Sequence, residues 1–207
     1  MLARVEIYQG QQKYRVKIGD VVRELPLVKV DEGIWIASDA EIILGDIEFI
    51  SEAAEMIAEK VKPFNPELIV TPEAKAIGLA YETAKLLGHK RLIIGRKSIK
   101  AYMSNPLVEE VKSITTREKQ LIVLTREDAE KIGSKRVCLL DDVVSTGGTI
   151  TSLERLVRRI GGEIVCKAAI WVEGPWYGRG DLTYLSELPI FVDEWRLKEF
   201  ATRLKII

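Results

Sequence analysis

The run Val137-Cys138-Leu139-Leu140-Asp141-Asp142-Val143-Val144-Ser145-Thr146-Gly147-Gly148-Thr149 concentrates side chains that can do chemistry. It reads as a short apolar strand, two adjacent acids, and a Ser/Thr/Gly loop that opens onto a helical pattern. Such an apolar strand is buried on both faces of a parallel sheet. Asp141 and Asp142 then fall where such strands end, which is where open α/β sheets take their ligands. Val144, Ser145, Thr146, Gly147, Gly148 and Thr149 offer backbone N–H groups and hydroxyls at a helix N-terminus, a ready anion site. Acids beside a phosphate cradle need a cation or a sugar between them. The combination suggests a phosphorylated sugar held with Mg²⁺. No Gly-Lys-Ser/Thr follows the glycines, which excludes a P-loop.

Two further strand ends carry polar clusters. Thr71-Pro72-Glu73-Ala74-Lys75-Ala76 follows Leu68-Ile69-Val70 and opens a helix, a second anion site. Arg96-Lys97-Ser98-Ile99-Lys100 follows Leu92-Ile93-Ile94, and its three cations suit a pyrophosphate leaving group. The single histidine, His89, follows Gly88 at a helix end and reads as a surface cap. One histidine supports neither a Ser-His nor a Cys-His mechanism, and zinc lacks ligands. Cys138 and Cys166 both fall in apolar runs and read as small buried side chains in a reducing compartment.

The elements that must position these groups follow from hydrophobic periodicity. Residues 2–30 read as short strands punctuated by Gly10 and Gly19-Asp20. Asp46 is the expected N-cap of a helix whose apolar face is Ile47, Ile50, Ala54, Ile57 and Val61, ended by Pro63 and Pro66. Helices are also expected over residues 74–87 and 150–160, and a short turn over 128–132. Strands are expected at 68–70, 92–94, 121–124, 136–140 and 164–172, with residues 97–119 polar and mixed. Strands alternating with helices imply a doubly wound, mainly parallel α/β sheet with right-handed crossovers. At 207 residues the chain fits one domain with a small appendage. Lys plus Arg and Asp plus Glu balance at 31 each, so no basic field argues for nucleic acid. No apolar run is long enough to span a bilayer, and the N-terminus lacks a signal-peptide pattern. A cytoplasmic protein is expected.

Residues 137–149 resemble the phosphoribosyl-diphosphate (PRPP) binding signature of the type I phosphoribosyltransferases, and the likeness is closest to the adenine enzymes. It covers roughly residues 33–192, leaving an N-terminal β appendage at 1–32 and a tail at 193–207. The resemblance implies the type I fold with a hood, Mg²⁺ with PRPP as co-substrate, a nucleobase acceptor and a homodimer. It assigns the ribose and the metal, through water, to Asp141 and Asp142, and the 5′-phosphate to residues 144–149. It assigns pyrophosphate to Ala74, Lys75, Arg96, Lys97 and Lys100, some from a neighbouring subunit, with a cis peptide at Ala74–Lys75. Residues 101–119 resemble the flexible lid. There Ser113-Ile114-Thr115-Thr116 stands where adenine enzymes have Ser-x-Glu-Tyr, so Ser113 is retained and the acid and aromatic are replaced.

For the base, Gly33-Ile34-Trp35-Ile36 matches the segment where adenine enzymes supply a stacking surface, so Trp35 or Ile36 is expected against the purine. Ala169-Ile170-Trp171-Val172-Glu173 resembles the strand that ends in a Val-Glu pair. An ionised Glu173 accepts from an amine and cannot donate to a carbonyl, which tilts the acceptor to adenine. Two alternatives stand beside this. One is a 6-oxopurine (hypoxanthine, guanine or xanthine) transferase in which Lys167 or a tail residue reads O6. The other is a non-catalytic PRPP-sensing regulator on the same fold, motivated by Thr115-Thr116.

Overall fold

The structure, a computed structural model, describes residues 3–111, 120–178 and 180–203. Its centre is a parallel sheet of β5 (Leu68–Pro72), β6 (Leu92–Gly95), β9 (Arg136–Val144), β10 (Glu163–Glu173) and β11 (Thr183–Leu188), ordered β11-β10-β9-β5-β6. β5 and most of β9 and β10 are buried, as their unbroken apolar runs require. Helices cover both faces. α2 (Ile47–Val61) and α3 (Ile77–Leu86) pack on one side through Phe49, Ala53, Ile57, Leu79 and Ala80. α5 (Gly148–Arg159) and α4 (Arg126–Ile132) cover the other through Ile150, Leu153, Leu156, Val157 and Ile132. This is the doubly wound sheet expected from the alternation of elements.

A second five-stranded sheet sits over the strand ends. It contains β1 (Val5–Ile7), β2 (Lys13–Ile18), β3 (Val21–Asp31), β4 (Ile34–Ala37) and β12 (Ile190–Val192), in the order β1-β12-β4-β3-β2. Phe191 faces Trp35 across β12 and β4, so segments from the two ends of the sequence share one sheet. Its inward residues Val16, Ile18, Val21 and Leu25 join Phe49, Ile57, Trp171 and Phe191 in one continuous core. A short helix, α1 (Ala40–Gly45), leads from β4 into α2.

Asp46 is the N-cap of α2 as expected, its side chain accepting from Phe49 N–H. The same carboxylate pairs with Arg23 on β3, which ties the upper sheet to the helix layer. Some elements depart from expectation. The strand at 121–124 leaves the main sheet: β8 (Gln120–Leu124) pairs antiparallel with β7 (Leu107–Val111), inside the segment expected to be polar and mixed. Among the described residues it is hydrogen-bonded to the sheet edge through a bridge between Arg96 and Val123. The tail carries a helix, α6 (Glu194–Arg203). His89 caps with its backbone, N–H to Ala84 O at 2.9 Å, while its ring Nε2 lies 2.8 Å from Pro66 O. Among the described residues, no helix is long and apolar enough to cross a membrane.

Candidate active site

The strand register brings the ends of β5, β6, β9 and β10 to one edge beneath the upper sheet. There a cavity of about 260 Å³ is lined by Glu73, Ala74, Lys75, Lys97, Asp141, Asp142, Thr149, Trp171 and Glu173, with Ile36 above. β9 runs on through both acids to Val144, still paired with β10 but past its last pairing with β5, so Asp141 and Asp142 reach the cavity while only 6% and 9% exposed. Asp142 N–H donates to Asp141 Oδ1 at 2.9 Å. Burial pushes the Asp141 carboxyl well above the usual carboxylate range, the neighbouring Asp142 charge pushes it further, and Lys97 pulls against both. Two acids so placed want a cation or hydroxyl donors between them.

A smaller cavity of about 130 Å³ is lined by Asp141 and by the residues from Val143 to Ile150, with Val111 and Gln120 at its side. Gly147 adopts a left-handed conformation (φ 77°) and is the N-cap of α5, so the N–H groups at the helix start stand open to an anion. Ser145, Thr146, Gly147, Gly148 and Thr149 are thereby brought together as expected.

The β5 loop is held by a residue that sequence reading passed over. Glu73 N–H donates to Gly95 O at 2.8 Å, and its carboxylate accepts from Lys97 N–H at 3.0 Å. Glu73 thus locks the β5 and β6 loops to each other. The cis peptide lies at Glu73–Ala74, one bond before the expected Ala74–Lys75. Glu73 is anchored on both its backbone and its side chain, and the chain turns immediately after it. α3 starts at Ile77, three residues later than the expected 74, because this loop occupies the intervening residues.

Of the cations, Lys75 and Lys97 line the larger cavity. Arg96 and Lys100 do not: Arg96 has its backbone paired with Val123, and Lys100 N–H points to Met103 Sδ at 3.4 Å. At the base end, Ile36 and Glu173 line the cavity and Trp35 does not. Alternation along β4 turns Trp35 to the opposite face, where it stacks on Tyr8 at 4.0 Å between ring centroids with Lys29 over the ring. Glu173 is 9% exposed. Burial raises its pKa and Asp142 adds to the effect, whereas a hydrogen bond with Ser145 and the Lys75 charge lower it. Beyond Ile36 and Glu173 a second space of about 620 Å³ is lined by Trp176, after β10, and by Arg196 and Phe200 of α6, residues no motif pointed to.

Lys167 cannot read a purine O6. It is 4% exposed and bound to Glu154 at 2.6 Å and Asp181 at 2.7 Å, and it lines neither cavity. It sits mid-strand on β10, six residues before Glu173 at the cavity edge, and its amine is neutralised by two carboxylates. Ser113, Thr115 and Thr116 lie outside the described residues.

No cluster of three or more His, Cys, Asp or Glu side chains arranged to hold a metal occurs among the described residues. Asp141 and Asp142 alone would leave a divalent ion under-coordinated. They fit Mg²⁺ that completes its shell with ligand oxygens and water, its ordinary mode beside phosphates.

A model of the family described as phosphoribosyl transferase domain matches residues 41–199. An adenine phosphoribosyltransferase of Thermotoga petrophila is 31% identical over 169 residues, covering 82% of this chain and 87% of that one. Another, of Thermosipho africanus, is 30% identical over 177 residues, with 84% and 92% covered. The fold matches the crystal structure of adenine phosphoribosyltransferase from Thermoanaerobacter pseudethanolicus at a TM-score of 0.67 and 23% identity, covering 79% of this chain and 95% of that one. The adenine enzyme of Giardia lamblia, complexed with 9-deazaadenine, gives a TM-score of 0.64 at 16% identity, with 79% and 93% covered.

Proposed function

The chain belongs to the phosphoribosyl transferase family, an enzyme family that transfers a phosphoribosyl group, and on that premise we propose that it converts adenine and PRPP to AMP and pyrophosphate with Mg²⁺. The observation that carries the donor half is the junction of the two cavities at Asp141: an acid pair at a sheet edge, a helix-start anion cradle beside it, and Lys75 and Lys97 across from it. The 5′-phosphate seats on residues 144–149 and the ribose hydroxyls on Asp141 and Asp142. The pyrophosphate faces the 73–76 backbone, Lys75 and Lys97. Bound Mg²⁺ would neutralise the diphosphate and so ease its departure.

Attack by the purine nitrogen on the anomeric carbon breaks the bond to pyrophosphate. Positive charge develops on the ribose, and the buried carboxylates beneath it are fixed in place to stabilise that charge. Arg96 and Lys100, off the cavity in this chain, suit the pyrophosphate of a neighbouring copy in a homodimer.

Adenine is favoured as acceptor by Glu173 and by the likeness to adenine phosphoribosyltransferases. An ionised carboxylate at the cavity wall accepts from an exocyclic amine. Ile36 supplies the apolar contact to the ring. Lys167, one of the two donors considered for a 6-oxopurine, is engaged elsewhere. Free, buried Cys138 and Cys166 suit a reducing cytoplasmic setting. Incubation of pure protein with Mg-PRPP and each nucleobase tests the reading. Nucleotide formation is expected with adenine; turnover of guanine or hypoxanthine but not adenine overturns the acceptor assignment, and PRPP binding without turnover on any base overturns the enzyme.

A further inference from the structure

Behind the phosphate cradle lies an ion-paired cluster that the transfer chemistry does not use. Lys167 Nζ on β10 is 2.6 Å from Glu154 Oε2 on α5 and 2.7 Å from Asp181 Oδ2. The Tyr177 hydroxyl donates to the other oxygen, Asp181 Oδ1, at 2.7 Å. Tyr177 is 5% exposed, and its ring rests on Gly147 so closely that a Cβ built there would lie 2.5 Å from Cδ2 and Cε2. From the far side, Arg4 Nε donates to Gly174 O at 2.6 Å and Arg4 Nη2 to Tyr177 O at 3.1 Å. The turn from Gly174 to Tyr177 is therefore gripped at its backbone by the N-terminal segment. Its ring is gripped at the hydroxyl by exposed Asp181, which pairs with buried Lys167 and through it with Glu154 on the helix the cradle begins.

We propose that Tyr177 is a positioning residue for the 5′-phosphate cradle: its ring is the backstop that keeps Gly147 in its left-handed conformation, and Asp181, Lys167 and Glu154 hold the ring in place. An anion site built from backbone N–H groups works only if those groups already point at the ligand when it arrives. A loop with two consecutive glycines has many other conformations, so it needs an external brace. A buried ion pair contributes little net stability compared with apolar packing. What Lys167 contributes instead is a fixed direction for Asp181 and hence for the phenol. The proposal rests on the phosphoribosyl reading of the same site.

The test uses the full chain and reads direct binding of ribose 5-phosphate and of Mg-PRPP by calorimetry, with KM for PRPP and for adenine and the melting temperature alongside. Tyr177→Ala is expected to weaken both phosphorylated ligands and to raise KM for PRPP by roughly tenfold or more, with KM for adenine changed less than about twofold. Tyr177→Phe keeps a ring beside Gly147 but loses the hydroxyl held by Asp181, so it is expected to restore part of the loss and to leave the same residual defect as Asp181→Ala. Gly147→Ala combined with Tyr177→Ala is expected to cost less than the two effects added, because the second change removes the ring the new Cβ would strike.

Unchanged ligand binding in folded Tyr177→Ala overturns the proposal, as does an equal loss for PRPP and adenine that tracks the melting temperature. Should Tyr177→Ala fail to fold, Asp181→Ala decides: a raised KM for PRPP at unchanged KM for adenine supports the brace, and no change overturns it. A wild-type protein that binds neither phosphorylated ligand overturns the phosphoribosyl reading itself, whereas normal wild-type binding with indifferent variants overturns only the brace.

Discussion

Asp141 and Asp142 are held where two like charges are least welcome, nearly dry at the end of a buried strand. The ligand-free protein bears that cost so that the developing charge on ribose meets a partner already in place. Asp141→Asn is therefore expected to abolish nucleotide formation while raising the melting temperature of the ligand-free protein by about 2–4 °C, read by calorimetry. Glu173 works at the opposite end of the cavity. Glu173→Gln replaces one acceptor oxygen by a donor and is expected to lower kcat/KM for adenine by roughly ten- to a hundredfold, with KM for PRPP little changed. Equal loss for both substrates would instead assign Glu173 to the donor site, through its hydrogen bond with Ser145. Trp35 shows how one step along a strand decides a role. It stacks on Tyr8 rather than facing the ligand, so Trp35→Ala is expected to cost about 1–3 kcal/mol of stability in denaturant titration and leave KM for adenine unaltered.

At the scale of elements, the site depends on joints between strand ends. Glu73 joins the β5 loop to the β6 loop, and Asp46 joins β3 to the start of α2 by capping the helix and pairing with Arg23. The Arg23 guanidinium holds the Asp46 carboxyl below its ordinary value of 3.8; burial pushes the other way, and the Phe49 N–H adds a lesser downward pull. A depressed native pKa means that this contribution is fully present above the ordinary value and fades as pH falls through the native one. Asp46→Ala is expected to lose about 1–2 kcal/mol at neutral pH, and the difference from wild type should shrink in acid denaturation below pH 3.8. A difference that grew with acid would contradict this origin. Asp46 could be read as a cap because capping is local. Its second partner, Arg23, lies 23 residues away on another layer, and no local signal names it.

At the scale of the whole molecule, one core cluster runs from the upper sheet into the central one, and a second lies on the opposite face of the central sheet. Val16, Ile18 and Leu25 pack with Phe49, Ile57 and Trp171. A single cooperative thermal transition is expected, with the same midpoint by circular dichroism and by tryptophan fluorescence. Removal of residues 1–32 is expected to prevent folding, because it strips that shared core and the edge partner of β4. Two separated transitions would show that the upper sheet folds on its own.

The sequence by itself determined what is encoded by neighbours along the chain. The parallel sheet could be read from apolar runs alternating with amphipathic helices, and the acid pair and phosphate cradle from one continuous run, because strand, turn and helix start are consecutive. Contacts between distant segments were decided only by the tertiary structure. Register turned Trp35 away and Ile36 inward, ion pairs claimed Lys167, the Val123 bridge held the Arg96 backbone, and α6 brought Phe200 against Trp176 at the space next to the cavity. A residue's type and spacing fix what it can do, but which neighbours claim it first is a property of the folded core.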